Sequence, residues 1–488
     1  MLKTTARINR GVTVALIALT WVFVVLLTIP RAIGRGVADY GFFTGMAERL
    51  RAGDTLYIQV WDNKDPLVFY SLAIARFFGP NGVIGAWLLE LAWIVLAASA
   101  IYVVARFQGL TRVMSSYLGF GLAPLILLGA AYFMGSTHLP AIALLLAAIA
   151  LLYSRHPLTA GCLLGVLLFF KLVMLPMAIV VLGVAILALR RRGDAKWILV
   201  GFAAVVAVMS VILSIRGEFT GFIGTQIDNV LYSQSPIVSA EQTGIVERLK
   251  RYLVILVNPQ IAAIQFTTLA VLLFTRPRSL RRVEARQALW WITVAAFVMA
   301  AVTIAITGKW FHHAQVFEVS SALALILAVQ HLSKTRHVRA WIAAAVAAFL
   351  TYPLAGLPQP QIYADAITQL PTRWVQATTV DTMTRILREQ PAGSVSFIGE
   401  TVPQSSGLDE WSIACRHIAQ RPFNPSEVFD ETLECLPTSE VIVISKDITT
   451  TSAFPEYDEF LAGVRSLLAE QYTCEPVETL TICRRAGT

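Results

Sequence analysis

The sequence predicts a polytopic α-helical membrane protein of about 11 transmembrane helices with a small C-terminal extracytoplasmic α/β domain. Hydrophobic residues make up 56% of the 488 residues, and the mean hydropathy is +0.65. Soluble domains rarely exceed an apolar share of about 50%. Residues 1–357 carry 30 Lys and Arg against 13 Asp and Glu, whereas residues 358–488 carry nine against 18. The overall charge of +8 therefore reflects membrane topology and gives no support for nucleic-acid binding.

The membrane part, residues 1–357, contains repeated apolar runs, and a run of about 20 apolar residues is enough to cross a bilayer. The predicted spans are 11–29, 83–105, 114–133, 138–153, 157–170, 173–189, 197–215, 252–274, 288–306, 314–330 and 340–357. No small-residue cleavage site follows the first span, so we expect that span to be retained as a helix.

The predicted orientation follows from the short loops between the spans. Alternate loops contain eighteen Lys and Arg against two acids, Asp194 and Glu284. Loops rich in Lys and Arg lie on the cytoplasmic side. The N-terminus is therefore predicted inside and the C-terminal domain outside the plasma membrane.

The C-terminal domain, residues 358–488, begins after a Pro-rich linker. Residues 395–399 and 441–445 are short apolar runs typical of buried strands, and 379–390 and 457–471 have helical periodicity. Neither strand is followed by a glycine pattern for nucleotide binding.

Four of the five cysteines lie in the C-terminal domain, and Cys162 lies in a predicted span. An even number of cysteines outside the cytoplasm is consistent with two disulfides, with four free thiols as the alternative. The residues around Cys474 and Cys483 alternate like the arms of a hairpin. This pattern favours a Cys474–Cys483 disulfide, which leaves Cys415 to pair with Cys435.

Two predicted outer loops are long, covering 30–82 and 216–251. The first contains an apolar segment of about 13 residues at 66–78, which is too short to span a bilayer. We expect an interfacial helix there with Pro66 in its first turn. The second contains an amphipathic segment at 218–232.

Asp39 follows the first span directly, and partial desolvation at the bilayer edge would raise its proton affinity. It could therefore act as general base toward an acceptor hydroxyl, or simply cap a helix at 40–50. Lys64 stands between Asp62 and Asp65. Its ammonium could neutralise a phosphate while the two aspartates hold it or bind a cation; the alternative is a solvated surface cluster.

Other polar residues interrupt later apolar runs. Lys171 is expected to snorkel to the outer surface, with or without an anionic ligand, because a charge inside the bilayer is costly. Lys309, His312 and His313 open the tenth span. Adjacent histidines do not easily chelate one metal ion, so hydrogen bonding to sugar or phosphate competes with a plain interfacial role. Glu90 and Glu318 should face the protein interior.

In the predicted topology Asp39, Lys64, Lys171, Lys309 and His312 all lie on the outer side of the membrane. One carboxylate and three lysines on one face suit transfer from a polyprenyl-phosphate carrier. The sequence also resembles the GT-C superfamily of integral membrane glycosyltransferases, and within it the branch of protein O-mannosyltransferases and the lipid A aminoarabinose transferase. The features that carry the resemblance are Asp39-Tyr40, Asn63-Lys64-Asp65-Pro66-Leu67, Gly165…Lys171…Pro176 and Phe311-His312-His313.

The resemblance covers residues 10–330 and implies a GT-C-like membrane domain. It implies that Asp39 is the catalytic base and that a lipid-monophosphate sugar binds from the non-cytoplasmic side. The implied substrate contacts are Tyr40, Asp62, Asn63, Lys64, Asp65, Lys171, Lys309, His312 and His313. Many members have paired acids where this chain has Asp39-Tyr40, which leaves use of a divalent metal open; no other cofactor is implied.

The leading hypothesis is a glycosyltransferase of a bacterial plasma membrane, acting on a cell-envelope glycan, lipid or protein. A transporter or lipid-linked sugar flippase is the alternative, and it predicts charged or glycine-broken helices near the bilayer midplane together with inverted repeats. A non-catalytic envelope assembly protein is the third. Polar residues gather at one face, which favours the first.

Overall fold

The computed structural model describes most of the membrane part and portions of the C-terminal part. The described residues are 10–33, 43, 46–47, 49–75, 77–78, 83–128, 137–233, 259–277, 285–307, 311–332, 390–391, 394–399, 414–415, 417, 420, 426–445, 455–477 and 480–486. The predicted span 340–357 and all but the last residue of the predicted helix 379–390 lie outside them.

The described residues are mainly helical. The helices are α1 (Arg10–Ile33), α2 (Pro66–Ala75), α3 (Val83–Phe107), α4 (Arg112–Ser116), α5 (Ala123–Leu127), α6 (His138–Tyr153), α7 (Pro157–Phe170), α8 (Leu175–Ala188), α9 (Ala195–Ile215), α10 (Phe219–Ser233), α11 (Pro259–Phe274), α12 (Ala285–Thr307), α13 (Phe317–Leu332), α14 (Ser426–Cys435) and α15 (Pro455–Gln471). A π-helical stretch, Tyr117–Leu122, joins α4 to α5.

Within the described part of the chain, four helices are long and apolar enough to cross a membrane: Gly85–Phe107, Arg192–Ile215, Gln287–Ile304 and Ala314–His331. Each coincides with a predicted span. The other apolar helices are shorter in their described extent. The protein is thus a helical, membrane-embedded protein, while the number of about 11 spans and the orientation stay predictions. Glu90 and Glu318 are buried, as expected.

Helices α7 and α9 cross at a distance that only glycine permits. A Cβ atom at Gly161 would lie 2.1 Å from the carbonyl oxygen of Ile198, and one at Gly201 would lie 2.1 Å from that of Leu158. Gly161 and Gly165 form a G-x-x-x-G spacing, which lets helix backbones approach closely in a membrane. Backbone contact, rather than interdigitating large side chains, therefore holds this pair.

Gly161→Leu is expected to force α7 and α9 apart and lower the Tm of the detergent-solubilised protein by about 5 °C or more. Gly183→Leu in α8 is the matched control, because a Cβ there has no atom within 4 Å. Its Tm should change by less than about 2 °C. Equal shifts in the two variants would contradict the close crossing.

The C-terminal residues contain a four-stranded sheet in the order β1-β2-β4-β3. The strands are β1 (Val395–Ile398), β2 (Val441–Ser445), β3 (Tyr472–Val477) and β4 (Leu480–Arg485). Strands β1 and β2 are parallel, and the other neighbours are antiparallel. Helices α14 and α15 supply Phe429, Tyr457 and Phe460 to its buried core. The two predicted strands and the predicted helix at 457–471 are thus present.

Both predicted disulfides are present. Cys474 and Cys483 stand directly opposite each other in the β3–β4 hairpin and are bonded. Cys415 is bonded to Cys435, and Cys162 is free. The local hairpin register explains why alternation in the sequence predicted the first pair.

Close contacts divide the chain into two compact units. The first comprises 1–31, 87–209 and 244–367, and the second comprises 32–86, 210–243 and 368–488. The second unit therefore contains most of the two predicted outer loops together with residues 368–488. The predicted domain boundary at 357/358 stays a prediction.

Candidate functional site

The structure describes the side chains of five of the ten predicted site residues. Asp62, Asn63, Lys64 and Asp65 belong to the second unit, and Lys171 belongs to the first. Asp39, Tyr40 and Lys309 lie outside the described residues. His312 and His313 lie in a 3₁₀ helix, Phe311–Val316, in which their side chains are not described.

The segment from Asp62 to Lys64 forms a local turn. The buried carboxylate of Asp62 accepts a hydrogen bond of 2.9 Å from the backbone N–H of Lys64, the arrangement of an Asx-turn. The Lys64 ammonium donates to the side-chain oxygen of Asn63 and lies 6.0 Å from the ring centroid of Phe43. Asp62 therefore fixes the backbone of Lys64, while the half-buried ammonium sits beside an aromatic ring.

Asp65 precedes the interfacial helix predicted for this loop, which is α2. The backbone N–H of Val68 donates to the carbonyl oxygen of Asp65 over 3.2 Å, and Pro66 occupies the first helical position. Proline suits that position because its missing N–H would have no helical acceptor there. The ten-residue helix buries Phe69, whose ring meets that of Phe43 at 5.7 Å. Lys64 thus lies at the start of a short apolar helix.

Tyr57 forms a hydrogen bond with the backbone of Lys64. Its side chain is fully buried, and its hydroxyl donates a 2.7 Å hydrogen bond to the carbonyl oxygen of Lys64. Burial raises the pKa of Tyr57 well above its usual value, and the charges of Asp65 and Asp62 raise it further. The hydroxyl accordingly keeps its proton and remains a donor.

Glu218, directly after α9, is a fully buried carboxylate. It accepts hydrogen bonds from the Leu56 N–H at 3.1 Å, from Nε of Arg216 at 2.8 Å and from the Tyr70 hydroxyl. Arg216 also donates to the carbonyl oxygen of Asp54 over 3.1 Å. Although burial lowers the pKa of Arg216, hydrogen bonding to Glu218 raises it above its usual value. A buried carboxylate needs such a charged partner and donors to be stable.

The first turn of α10 packs directly on Tyr57. The ring of Phe222 lies 6.0 Å from the Tyr57 ring, and a Cβ atom at Gly221 would lie 2.7 Å from the Cβ of Tyr57. Position 221 therefore has no room for a side chain. Gly224, one turn further along α10, has no atom within 4 Å of such a Cβ.

The two glycines of α10 predict opposite effects on stability. Gly221→Ala gains about 1 kcal/mol of helix propensity but overpacks Tyr57 by about 1–3 kcal/mol, so a net loss of stability is expected. Gly224→Ala has only the gain of about 1 kcal/mol. Thermal unfolding in detergent should show Tm falling in the first variant and rising in the second. Stabilisation by both would refute the packing of α10 on Tyr57.

The C-terminal residues also contact this loop. The ring of His417 meets Trp61 edge to face at 5.4 Å, and its Nε2 lies 2.8 Å from Oε2 of Glu431 in α14. Trp61 immediately precedes Asp62. The C-terminal domain therefore contributes a side chain to the support of the Asp62–Lys64 turn.

Lys171 interrupts the helical path between α7 and α8. Its own backbone is extended (φ −163°), and a 3₁₀ turn, Leu172–Met174, follows it. Its Nζ donates to the hydroxyl of Thr137 over 2.5 Å, and both side chains are buried. The expectation that Lys171 snorkels to the surface is therefore wrong. The Thr137 hydroxyl gives the ammonium an acceptor inside the protein.

Among the described residues, no group of three or more His, Cys, Asp or Glu side chains could hold a metal ion.

The sequence did not predict the residues that support Lys64 and Lys171, namely the Arg216–Glu218 pair and Tyr57 for Lys64 and Thr137 for Lys171. Arg216-Gly217-Glu218 offered a weak signal, since two opposite charges directly follow an apolar helix. Tyr57 and Thr137 offered none, because aromatic and hydroxyl residues are common in such loops. Their roles depend on contacts with distant residues that no local pattern reveals.

No protein-family model matches the chain, and no curated protein matches it in sequence. Solved structures do share its fold. ArnT from Cupriavidus metallidurans bound to undecaprenyl phosphate aligns with a TM-score of 0.51 at 14% identity, covering 98% of this chain and 99% of that one. The oligosaccharyltransferase of Archaeoglobus fulgidus, tethered with an acceptor peptide containing the NVT sequon, aligns with a TM-score of 0.51 at 14% identity, covering 97% and 74%. At this identity the likeness concerns the fold.

Proposed function

Because the chain has the fold of the GT-C superfamily of membrane glycosyltransferases, we propose that it transfers a sugar from a polyprenyl-phosphate donor to an acceptor of the cell envelope. The acceptor is a glycan, lipid or protein at the outer face of a bacterial plasma membrane. The observation that carries this proposal is the fold shared over 98% of the chain with a structure that contains undecaprenyl phosphate.

In the proposed reaction an acceptor hydroxyl attacks the anomeric carbon of the sugar. The bond between that carbon and the phosphate oxygen breaks, and the lipid phosphate leaves with the bonding electrons. Asp39 takes the proton of the hydroxyl as general base. Attack opposite the leaving group inverts the anomeric centre, and no nucleotide is needed.

Lys64 is the proposed contact of the leaving phosphate. The Lys64 ammonium is half-buried beside Phe43, and its backbone is fixed by Asp62 and Tyr57. In a partly desolvated site, an ammonium stabilises a developing phosphate charge more strongly than it would in water. A fixed lysine at the start of a short apolar helix suits a phosphate carried by a lipid.

The remaining contacts are proposed by resemblance. Lys171, Lys309, His312 and His313 approach the donor phosphate or sugar, and Tyr40 neighbours the base. Asn63 accepts a hydrogen bond from the Lys64 ammonium and so orients it. Asp62 and Asp65 act through the turn and the helix start that they support.

The proposed location places the N-terminus in the cytoplasm and the C-terminal domain outside. Two disulfides in the C-terminal residues favour an oxidising compartment. The contact of His417 with Trp61 favours a role for that domain at the site.

A transporter or flippase for a lipid-linked sugar is the second candidate. The interrupted path between α7 and α8 at the buried Lys171 resembles the broken helices that transporters use near the bilayer midplane. The same residue can serve either function, so transfer activity must decide between them.

The Asp39→Asn variant is expected to lower kcat for sugar transfer on the order of 10²- to 10⁴-fold, because the amide cannot accept the proton. The measurement is transfer from a polyprenyl-phosphate sugar by purified protein in liposomes. Asp430→Asn, at an exposed position of α14, is the matched control and should retain full activity. Undiminished transfer by Asp39→Asn would refute the mechanism, and movement of the lipid-linked sugar across the bilayer without transfer would favour the second candidate.

A further inference from the structure

A series of contacts leads from Glu218 to Lys64. Glu218 accepts the N–H of Leu56 at 3.1 Å, although the two residues are 162 positions apart. The next residue, Tyr57, donates its hydroxyl to the carbonyl oxygen of Lys64 over 2.7 Å. One carboxylate of the second long loop is thereby linked to the proposed phosphate contact in the first.

The backbone of Tyr57 needs this support. Its φ of 66° lies in the left-handed region, which a bulky residue rarely adopts unless its surroundings hold it there. The Tyr57 N–H donates to the carbonyl oxygen of Val60 at 2.6 Å, closing a tight turn. The Phe222 ring packs against the Tyr57 ring, and the backbone at Gly221 lies against the Cβ atom of Tyr57.

Glu218 is occupied by contacts inside the protein. It is fully buried, and its oxygens accept from Leu56, Arg216 and the Tyr70 hydroxyl. Tyr70 belongs to α2, the helix that begins next to Lys64. Glu218 therefore fastens both the turn that precedes the Asp62–Lys64 segment and the helix that follows it.

We infer that Glu218 is a positioning residue for Lys64, acting through Leu56, Tyr57 and Tyr70 to hold the ammonium where a polyprenyl phosphate binds. The inference rests on the proposed function, because it takes Lys64 as the phosphate contact. Through Glu218, the second long loop would then set the affinity of the protein for the donor. The carboxylate exerts this control without touching the lipid.

The test is a double-mutant cycle read by the Kd of the full-length protein for undecaprenyl phosphate. Glu218→Gln keeps the size of the side chain and removes its charge, and it should weaken binding on the order of tenfold in the wild-type background. In the Lys64→Met background it should change Kd by less than about twofold, because the contact it positions is already gone. Glu427→Gln, an exposed position of α14, is the matched control and should bind like wild type.

A purely structural role for Glu218 predicts the same fold loss of affinity in both backgrounds, and that result would overturn the inference. Binding unaffected by Glu218→Gln would overturn it as well. Should Glu218→Gln not fold, Tyr57→Phe decides, since it retains the ring against Phe222 and removes only the hydroxyl on Lys64. The same loss on the order of tenfold, confined to the background with Lys64, is expected.

The outcomes separate this inference from the proposed function. Binding that depends on Lys64 and Glu218 without any sugar transfer would leave the positioning role in place and refute the glycosyltransferase. Transfer by the wild-type protein, with Kd changes that are equal in both backgrounds, would refute the positioning role alone. A Kd for undecaprenyl phosphate that Lys64→Met leaves unchanged would overturn both the positioning role of Glu218 and the role of Lys64 as phosphate contact.

Discussion

The ion pair between the buried Glu218 carboxylate and the partly exposed Arg216 is the interaction on which the Asp62–Lys64 turn depends. A carboxylate without any solvent exposure is stable only if its charge is balanced and its oxygens receive donors. Here the donors come from Leu56 and Tyr70 in the first long loop, and Arg216 also reaches the backbone of Asp54. The two long loops, which are far apart in sequence, are therefore joined because the buried carboxylate in one needs the hydrogen-bond donors of the other. Removing the charge of Arg216 would leave the Glu218 carboxylate buried without its cationic partner.

Joining the loops gives a half-buried lysine a fixed position. The Lys64 backbone is bonded to the Asp62 carboxylate on one side and to the Tyr57 hydroxyl on the other, and α2 starts two residues later. Such a lysine has lost much of its conformational freedom before a ligand arrives, so less entropy is lost on binding. The contact of Trp61 with His417 extends this support to the C-terminal domain. The arrangement favours a phosphate that approaches along an apolar surface.

Local patterns in the sequence predicted several of these features. Four spans, the short helix at Pro66 and the Cys474–Cys483 hairpin each depend on neighbouring residues, and each is present. The resemblance to the GT-C superfamily rested on short motifs in a consistent order, and the fold that it implied is shared with the solved structures of ArnT and the oligosaccharyltransferase.

Distant contacts limited what the sequence could predict. The role of Glu218 depends on a residue 162 positions away, and no periodicity encodes such a pair. Lys171 was expected at the surface because its sequence neighbours are apolar, whereas Thr137 supplies an acceptor from another segment. The Asp62 carboxylate accepts the backbone N–H of Lys64, a contact that the sequence did not predict, and its expected roles toward the Lys64 ammonium or a cation stay predictions.

A structure of the full-length protein with undecaprenyl phosphate would test most directly the proposal that Lys64 is the phosphate contact of a lipid-linked donor. We expect the Lys64 ammonium to leave Asn63 and a phosphate oxygen to lie about 3 Å from its Nζ, the usual hydrogen-bond distance. A lipid phosphate bound elsewhere, with Lys64 still donating to Asn63, would contradict the proposal.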